Sequence, residues 1–400
     1  MQTVNKKRNL RIIIGITVLN GIGMTIVMPL FPFLLGKYVA ANNVAVAMSA
    51  LVAVFAVCTF FAAPVFGALS DRYGRRSILL TSLLGSAVGY GLLGIGGSLW
   101  ILFLGRIIDG LTAGNQSTLF AYITDSTEPS ERGKWFGYLG GAIGLGFMIG
   151  PAIGGLLGSA SITLPFFVTA GITIFSMLVV ALLLPESLPI AKRTTHLTVR
   201  SFNTLAHFNV IFSISSARAL IIMGGFFYIG LNIWQFNTSI FLKDVFLWGP
   251  SFIGGMYMLV GICDILSRVI VLPLLLKKWN EHIIGTVGLG GLVAGLALLF
   301  CSAYIHSILF IIGAVSCIVL GEGLFDPTYN TQLSLSVHDG KQGQLQGINQ
   351  SLQALYRVIV PLGAGAIYTY SHGAVYAIAT VLMLCGLIMF ARLRTKASTK

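Results

Sequence analysis

Arg106 and Asp109 stand three residues apart in the run Leu102-Phe-Leu-Gly-Arg106-Ile-Ile-Asp109-Gly110, and Asp264, Arg268, Glu322, Asp326 and Arg357 occur in comparably apolar runs. A lone charge at the centre of a bilayer costs about 2.5–3.5 kcal/mol. Such residues therefore either neutralise one another or serve a path for ions or protons. Arg106 and Asp109 share a helix face at i,i+3, a bridge that suits helix packing as well as proton coupling. Asp264 has Arg268 four residues on, the spacing of a structural ion pair. Glu322 and Asp326 lie one turn apart on one face, and Arg357 can balance only one of them. One carboxyl is then in surplus, a candidate to bind and release a proton. Glu322 is the first candidate and Asp326 the second, because Asp326 beside Pro327 could instead satisfy backbone groups that the proline frees.

Other chemistry is poorly supported. No His-Glu-x-x-His or other compact catalytic signature occurs, and the histidines fall in loops or near the ends of apolar runs. The cysteines at 58, 263, 301, 317 and 385 all lie inside apolar runs without Cys-x-x-Cys spacing, as core packing residues do. The expectation is no enzyme, no metal, and no cofactor beyond a proton as coupling ion.

Charges at membrane depth need apolar elements to hold them there. Hydrophobic residues make up 56% of the chain and charged ones 9%, against roughly 25% charged in an ordinary soluble domain. Runs of membrane-spanning length recur throughout, so the first is read as a retained span rather than a cleaved leader. Spans are predicted at about 10–36, 45–69, 77–97, 99–123, 135–158, 163–184, 217–241, 250–276, 282–303, 305–329, 343–369 and 373–391. Lys6, Lys7, Arg8 and Arg11 precede the first span, and Arg392, Arg394, Lys396 and Lys400 follow the last. Loops after even-numbered spans carry Arg72, Arg75, Arg76, Arg132, Lys134, Lys192, Arg193, Arg200, Lys277, Lys278 and Lys341; loops after odd-numbered spans carry only Lys37 and Lys243. This asymmetry predicts cytoplasmic termini in a multi-pass protein of the cell membrane. It also accounts for the net charge of +13 without nucleic acid, which would require a contiguous basic patch with stacking aromatics.

The stretch from Pro185 to Ser216 is the longest polar one and is expected to be a cytoplasmic linker (185–216) between six-span halves at 1–184 and 217–400. A weak repeat agrees: Phe136-Gly137, Pro151 and Gly155 recur 210 positions later as Gln346-Gly347, Pro361 and Gly365. Two such halves, with a substrate site at mid-membrane, are the pattern of carriers built from parallel repeats. Span seven mixes Phe226, Phe227, Tyr228 and Phe236 with Asn232, Trp234 and Gln235, a set that suits a cavity for an amphipathic aromatic ligand.

Two motifs are more specific. The loop after span two reads Gly67-Ala-Leu-Ser-Asp71-Arg72-Tyr73-Gly74-Arg75-Arg76, with glycines for close approach and a tight turn and charges for a latch. Span five carries Gly137, Gly140, Gly141 and Gly144, then Gly146-x-x-x-Gly150-Pro151-x-x-Gly154-Gly155; small residues at these spacings let helices pack backbone to backbone. The loop resembles the G-x-x-x-D-R-x-G-R-R signature of the major facilitator superfamily, and the span-five run resembles the motif of its antiporters. Met28-Pro-Leu-Phe-Pro32, Lys134-Trp-Phe-Gly137 and Gln342-Gly-Gln-Leu-Gln-Gly347 extend the resemblance over nearly the whole chain to the tetracycline/proton antiporters and their drug-exporter relatives.

The resemblance implies an all-α membrane protein of twelve transmembrane helices in two pseudo-symmetric six-helix halves. It implies proton-coupled efflux of small amphipathic or drug-like compounds, with a proton-linked or facilitated carrier of a sugar or other polar metabolite as the alternative. Small-molecule substrate, protons and lipid bilayer are the expected partners, and a monomer the expected state. Gly67, Asp71, Gly74, Arg75 and Arg76 would form a cytoplasmic gate with Asp125 at the end of span four, and Arg106 with Gly110 matches an element tied to proton coupling. Where that family has acids in spans one and three, this chain has Asn20 and Gly89, and span nine has no acid. Asn20, Phe227, Asn232, Trp234 and Gln235 are the expected cavity residues, and Arg106, Asp109, Glu322, Asp326 and Arg357 the expected coupling residues.

Overall fold

The computed structural model describes residues 2–193, 218–336 and 342–393; the linker beyond Arg193 and the basic tail from Arg394 lie outside the described residues. Among the described residues the chain is helical and contains no strand. The helices are α1 (Gln2–Ile26), α2 (Phe31–Leu35), α3 (Val44–Tyr73), α4 (Arg75–Ile95), α5 (Leu99–Leu111), α6 (Asn115–Ser126), α7 (Pro129–Ala160) and α8 (Leu164–Leu183), then α9 (Arg218–Phe246), α10 (Pro250–Ile265), α11 (Leu272–Leu276), α12 (Glu281–Ser302), α13 (Ile308–Leu335), α14 (Gln342–Tyr370) and α15 (His372–Arg392). Among the described residues, ten helical segments are long and apolar enough to cross a membrane.

The other two expected crossings depart from simple apolar rods. Span four is divided into α5 and α6 at Thr112–Gly114. Thr112 Oγ1 donates to the Ile108 and Asp109 carbonyls at 2.8 and 3.3 Å, a back-bond that bends helices, and Gly114, two residues on, is a poor helix former. Span eleven is α14, which keeps Pro361 inside it. Proline also divides span one: Pro29 and Pro32 set a 3₁₀ turn at Met28–Leu30 and the short α2 after α1 ends. Span eight is interrupted by a π-helical turn, Leu266–Val271, between α10 and α11. Side-chain caps fix several starts: Ser98 for α5, Asn280 for α12 and Ser371 for α15 accept from the backbone N–H three residues on.

The chain packs as two compact units, Met1–Thr204 with Trp248–Met258, and Leu205–Leu247 with Leu259–Lys400. In the first unit, Leu10, Ile13 and Ile16 of α1 meet Leu79 and Leu83 of α4, Leu119, Tyr122 and Ile123 of α6 and Val180 of α8 in one buried cluster. In the second, α12 and α13 pack backbone to backbone: a Cβ at Gly288 would lie 2.8 Å from the Gly321 carbonyl oxygen. The α4–α5 pair of the first unit repeats this device, with Gly89 placed 2.7 Å from the Gly105 carbonyl oxygen by the same construction. Many large apolar side chains remain exposed, among them Trp100 at 82% and Leu182 at 79%. Lipid, not water, is the solvent that tolerates such a surface.

Candidate functional site

The turn between α3 and α4 is a clasp centred on Arg75. Gly74 ends one helix and starts the next with φ of 98°, a conformation that favours glycine, and a Cβ there would strike the Glu186 carboxylate. Arg75 is buried; it donates from Nε to Asp125 Oδ2 at 2.9 Å and from NH1 to Asp71 Oδ1 at 2.6 Å and Ser70 Oγ at 3.0 Å. Three of the six sequence-predicted gate residues, Asp71, Arg75 and Asp125, are thus brought together. Arg76 joins differently, donating from its guanidinium to the Ala181 carbonyl of α8. Gly67 lies in α3, and a Cβ there would meet nothing within 4 Å, so close approach does not require that glycine.

Sequence reasoning missed Glu186 and Ser187. Glu186 Oε1 accepts from Arg75 N at 2.8 Å and Oε2 from Arg76 N at 3.2 Å, so a side chain from beyond α8 caps the N-terminus of α4. Ser187 Oγ donates to Asp125 Oδ2 at 3.2 Å, Tyr122 OH donates to the Pro185 carbonyl at 2.9 Å, and Arg193 lies 3.7 Å from Glu186. The only signal was an acid directly after a helix-ending proline in a chain poor in acids.

The glycines of α7 fall into three classes. Gly146, Gly150 and Gly154 form one face on which α1 lies: a Cβ at Gly146 would sit 2.5 Å from the Gly21 carbonyl carbon, one at Gly150 2.7 Å from the Ile22 oxygen, and one at Gly154 2.8 Å from the Ile26 carbon. Thr25 Oγ1 donates across this seam to the Gly146 carbonyl at 2.8 Å. Around Pro151 the opposite face meets the start of α10, where a Cβ at Gly155 would lie 2.9 Å from Gly254 Cα and Ser251 Oγ donates to the Gly155 carbonyl at 3.3 Å. Gly137, Gly140, Gly141 and Gly144 meet nothing within 4 Å by the same construction.

Arg106 and Asp109 are both buried and bridged, NH1 to Oδ2, at 3.2 Å. Ser86 Oγ of α4 donates to Asp109 Oδ1 at 2.7 Å. The guanidinium stands 3.9 Å from the ring centroid of Phe55 and 5.4 Å from that of Phe31, a cation–π setting that offsets part of its desolvation. A Cβ at Gly89 would sit 2.8 Å from Asp109 Cβ. The place in α4 where the resemblance expects an acid is therefore filled by a carboxyl from α5.

In the second unit the charges pair otherwise than expected. Arg268, on the π-helical turn, faces Asp264 (Nε–Oδ1 2.7 Å), Asp326 (NH1–Oδ2 3.4 Å) and Glu322 (NH2–Oε1 4.0 Å). Arg357 is exposed and makes no ion pair among the described residues. The expected balancing of Glu322 or Asp326 by Arg357 is corrected accordingly: the π-turn presents the nearer cation. Asp326 also accepts from Tyr228 OH at 3.2 Å and Asn330 Nδ2 at 3.1 Å.

The expected cavity residues are not alike. Phe227 is fully buried and packs edge-on to Phe325, ring centroids 4.6 Å apart, so it belongs to the core of its unit. Asn232 is half-buried and donates to the Tyr228 carbonyl at 2.7 Å, while Gln235 is exposed. Asn20 Nδ2 and Trp234 Nε1 are buried and meet no hydrogen-bond partner among the described residues, which leaves each with a donor to offer.

The Major Facilitator Superfamily matches residues 13–361. The class H tetracycline resistance protein of Pasteurella multocida is 35% identical over 395 residues, 96% of this chain and 94% of that protein. The class C tetracycline resistance protein of Escherichia coli is 32% identical, over 90% of this chain and 89% of its own. Among solved structures, a D-xylose-proton symporter matches with a TM-score of 0.78 over 98% of both chains at 15% identity, a likeness of fold alone.

Proposed function

The chain belongs to the major facilitator superfamily, and from that premise we infer that it is a secondary transporter exporting small amphipathic, drug-like compounds in exchange for protons. It is a multi-pass membrane protein and not an enzyme. The drug class is taken from relatives named for tetracycline resistance, and it is supported by the α7 glycine face of the antiporter motif. The observation that carries the proton half is the charge balance at Arg268, where three carboxyls meet one guanidinium. A carrier driven by protons needs a group whose charge changes during the cycle, since a ligand shifts a conformational equilibrium only through differential affinity for the two states. Glu322 and Asp326 are that group. The protonated pair leaves the cluster less charged and better suited to a closed apolar setting; ionisation on the other side reverses this. The Arg75 clasp acts as the cytoplasmic gate, the Arg106–Asp109 bridge is a second charged element in the cycle, and Asn20 and Trp234 offer donors to substrate. The working state is a monomer in lipid with both termini cytoplasmic.

Everted vesicles test the reading, with tetracycline as the probe. An imposed pH gradient should drive its accumulation in vesicles bearing the wild type. Glu322→Gln keeps the shape and removes titration; it should abolish gradient-driven accumulation while counterflow across an unenergised membrane persists. Accumulation that ignores the gradient would refute antiport, and full gradient-driven transport by both Glu322→Gln and Asp326→Asn would move the proton site elsewhere.

A further inference from the structure

The π-helical turn at Leu266–Val271 gives Arg268 a position that an unbroken helix would not. Ser267 packs on Gly323, where a Cβ would lie 2.6 Å from Ser267 Cβ, and its Oγ donates to the Leu320 carbonyl of α13 at 2.9 Å. The next residue, Arg268, is thereby held against α13, and each of its three guanidinium nitrogens faces a different carboxyl, at 2.7, 3.4 and 4.0 Å. Among the described residues, the other ionisable group within hydrogen-bond distance is Tyr228, on Asp326 at 3.2 Å. From α12, Gly288, Gly291 and Leu292 are what α13 meets at Gly321, so that neighbour brings no charge there. No other ion pair to the three carboxyls occurs among the described residues.

Three carboxylates and one guanidinium leave two negative charges in excess. Protons on Glu322 and Asp326 remove both, and Arg268 then has one ionised partner left, Asp264, which already holds its shortest bond. We propose that Arg268 is the movable counter-ion of the proton site: it neutralises whichever of Glu322 and Asp326 has lost its proton and rests on Asp264 when both are protonated. Arg268 and Asp264 are thus positioning residues of the transport cycle rather than a structural pair. Only O–H bonds change, each proton coming from water on one side of the membrane and leaving to water on the other. The inference rests on the antiport reading above.

Charge counting gives a test that a merely structural role would not satisfy. Arg268→Gln raises the excess from two to three negative charges, whereas Arg268→Gln with Asp264→Asn restores two. In everted vesicles with tetracycline as probe, Arg268→Gln should lower gradient-driven accumulation by about tenfold or more while unenergised counterflow stays within about twofold of wild type. Arg268→Lys, which keeps a cation at the site, should recover at least about half of the gradient-driven transport, whereas the double variant, which restores the charge count without the counter-ion, should stay as low as Arg268→Gln. Gradient-driven transport within about twofold of wild type by Arg268→Gln or by the double variant, or an Arg268→Lys variant no better than Arg268→Gln with counterflow intact in both, would overturn the assignment. Should Arg268→Gln fail to reach the membrane, the double variant decides alone: loss of gradient-driven transport with counterflow retained upholds the proposal, and transport within about twofold of wild type overturns it. A wild type that ignores the gradient would instead overturn the antiport reading, a result visible before any variant is made.

Discussion

Asp71 and Asp125 hold the same guanidinium in unequal surroundings: the Asp71 side chain is 52% exposed and that of Asp125 20%. An ion pair open to water is worth about 0–1 kcal/mol, while a shielded one bonded to a further donor is harder to replace. Asp125 also accepts from Ser187. Asp125→Asn should therefore slow turnover several-fold and Asp71→Asn by about twofold at most, both leaving the apparent affinity for tetracycline little changed. Vesicle kinetics would settle it, and an Asp71 effect equal to or larger than that of Asp125 would contradict the ranking. Asp71, Arg75 and Asp125 were legible because the first two lie four residues apart in a recognisable loop and the third follows from the family resemblance. Glu186 was not, since its partners are backbone amides 110 and 111 positions away, and backbone amides leave no mark in a sequence. Arg268 was half legible: the i,i+4 bond to Asp264 follows from helix geometry, but its reach to Glu322 and Asp326 depends on a π-turn that helix periodicity does not announce.

Helix α7 shows why a run of glycines is ambiguous in sequence and plain in structure. The open and the packed glycines both recur at helical spacings of three or four, yet only Gly146, Gly150 and Gly154 have the backbone of α1 within the reach of a Cβ. A leucine at Gly150 would have to displace the Ile22 carbonyl and Thr25 of α1, an overpacking that costs about 1–3 kcal/mol or more. Gly150→Leu should lower the melting temperature of the detergent-purified protein and eliminate transport. Gly140→Leu, with nothing within 4 Å, should leave both near wild type. Equal tolerance of the two substitutions would remove the packing argument. The apolar periodicity that places twelve spans says nothing of how a span is broken. The interruption between α5 and α6 falls at Thr112–Gly114, where a side-chain back-bond is followed by a glycine, and the one before α11 at an irregular turn seated on Gly323, both local features that average hydrophobicity conceals.

At the scale of the molecule, the distribution of Lys and Arg makes a prediction independent of any side-chain contact. In a cysteine-free background, a single cysteine at Thr194 should resist a membrane-impermeant thiol reagent in intact cells, and one at Val245 should react. The opposite pattern would invert the orientation and with it the assignment of the Arg75 clasp to the cytoplasm. The division of the chain also has a practical edge. Apolar patterning ends the first half at residue 184, but Pro185, Ser187 and Glu186 are bonded to Tyr122, Asp125 and the start of α4, and Arg193 pairs in turn with Glu186. Those nine residues are part of the first half's own architecture. Two gene fragments expressed side by side and cut after Leu184 would strand the cap of α4 on the wrong piece; the same cut after Arg193 would let the first fragment carry its own keystone. Reassembly of a working transporter from the second pair of fragments, and its failure from the first, is the outcome expected of a seam that lies nine residues later than hydrophobicity draws it.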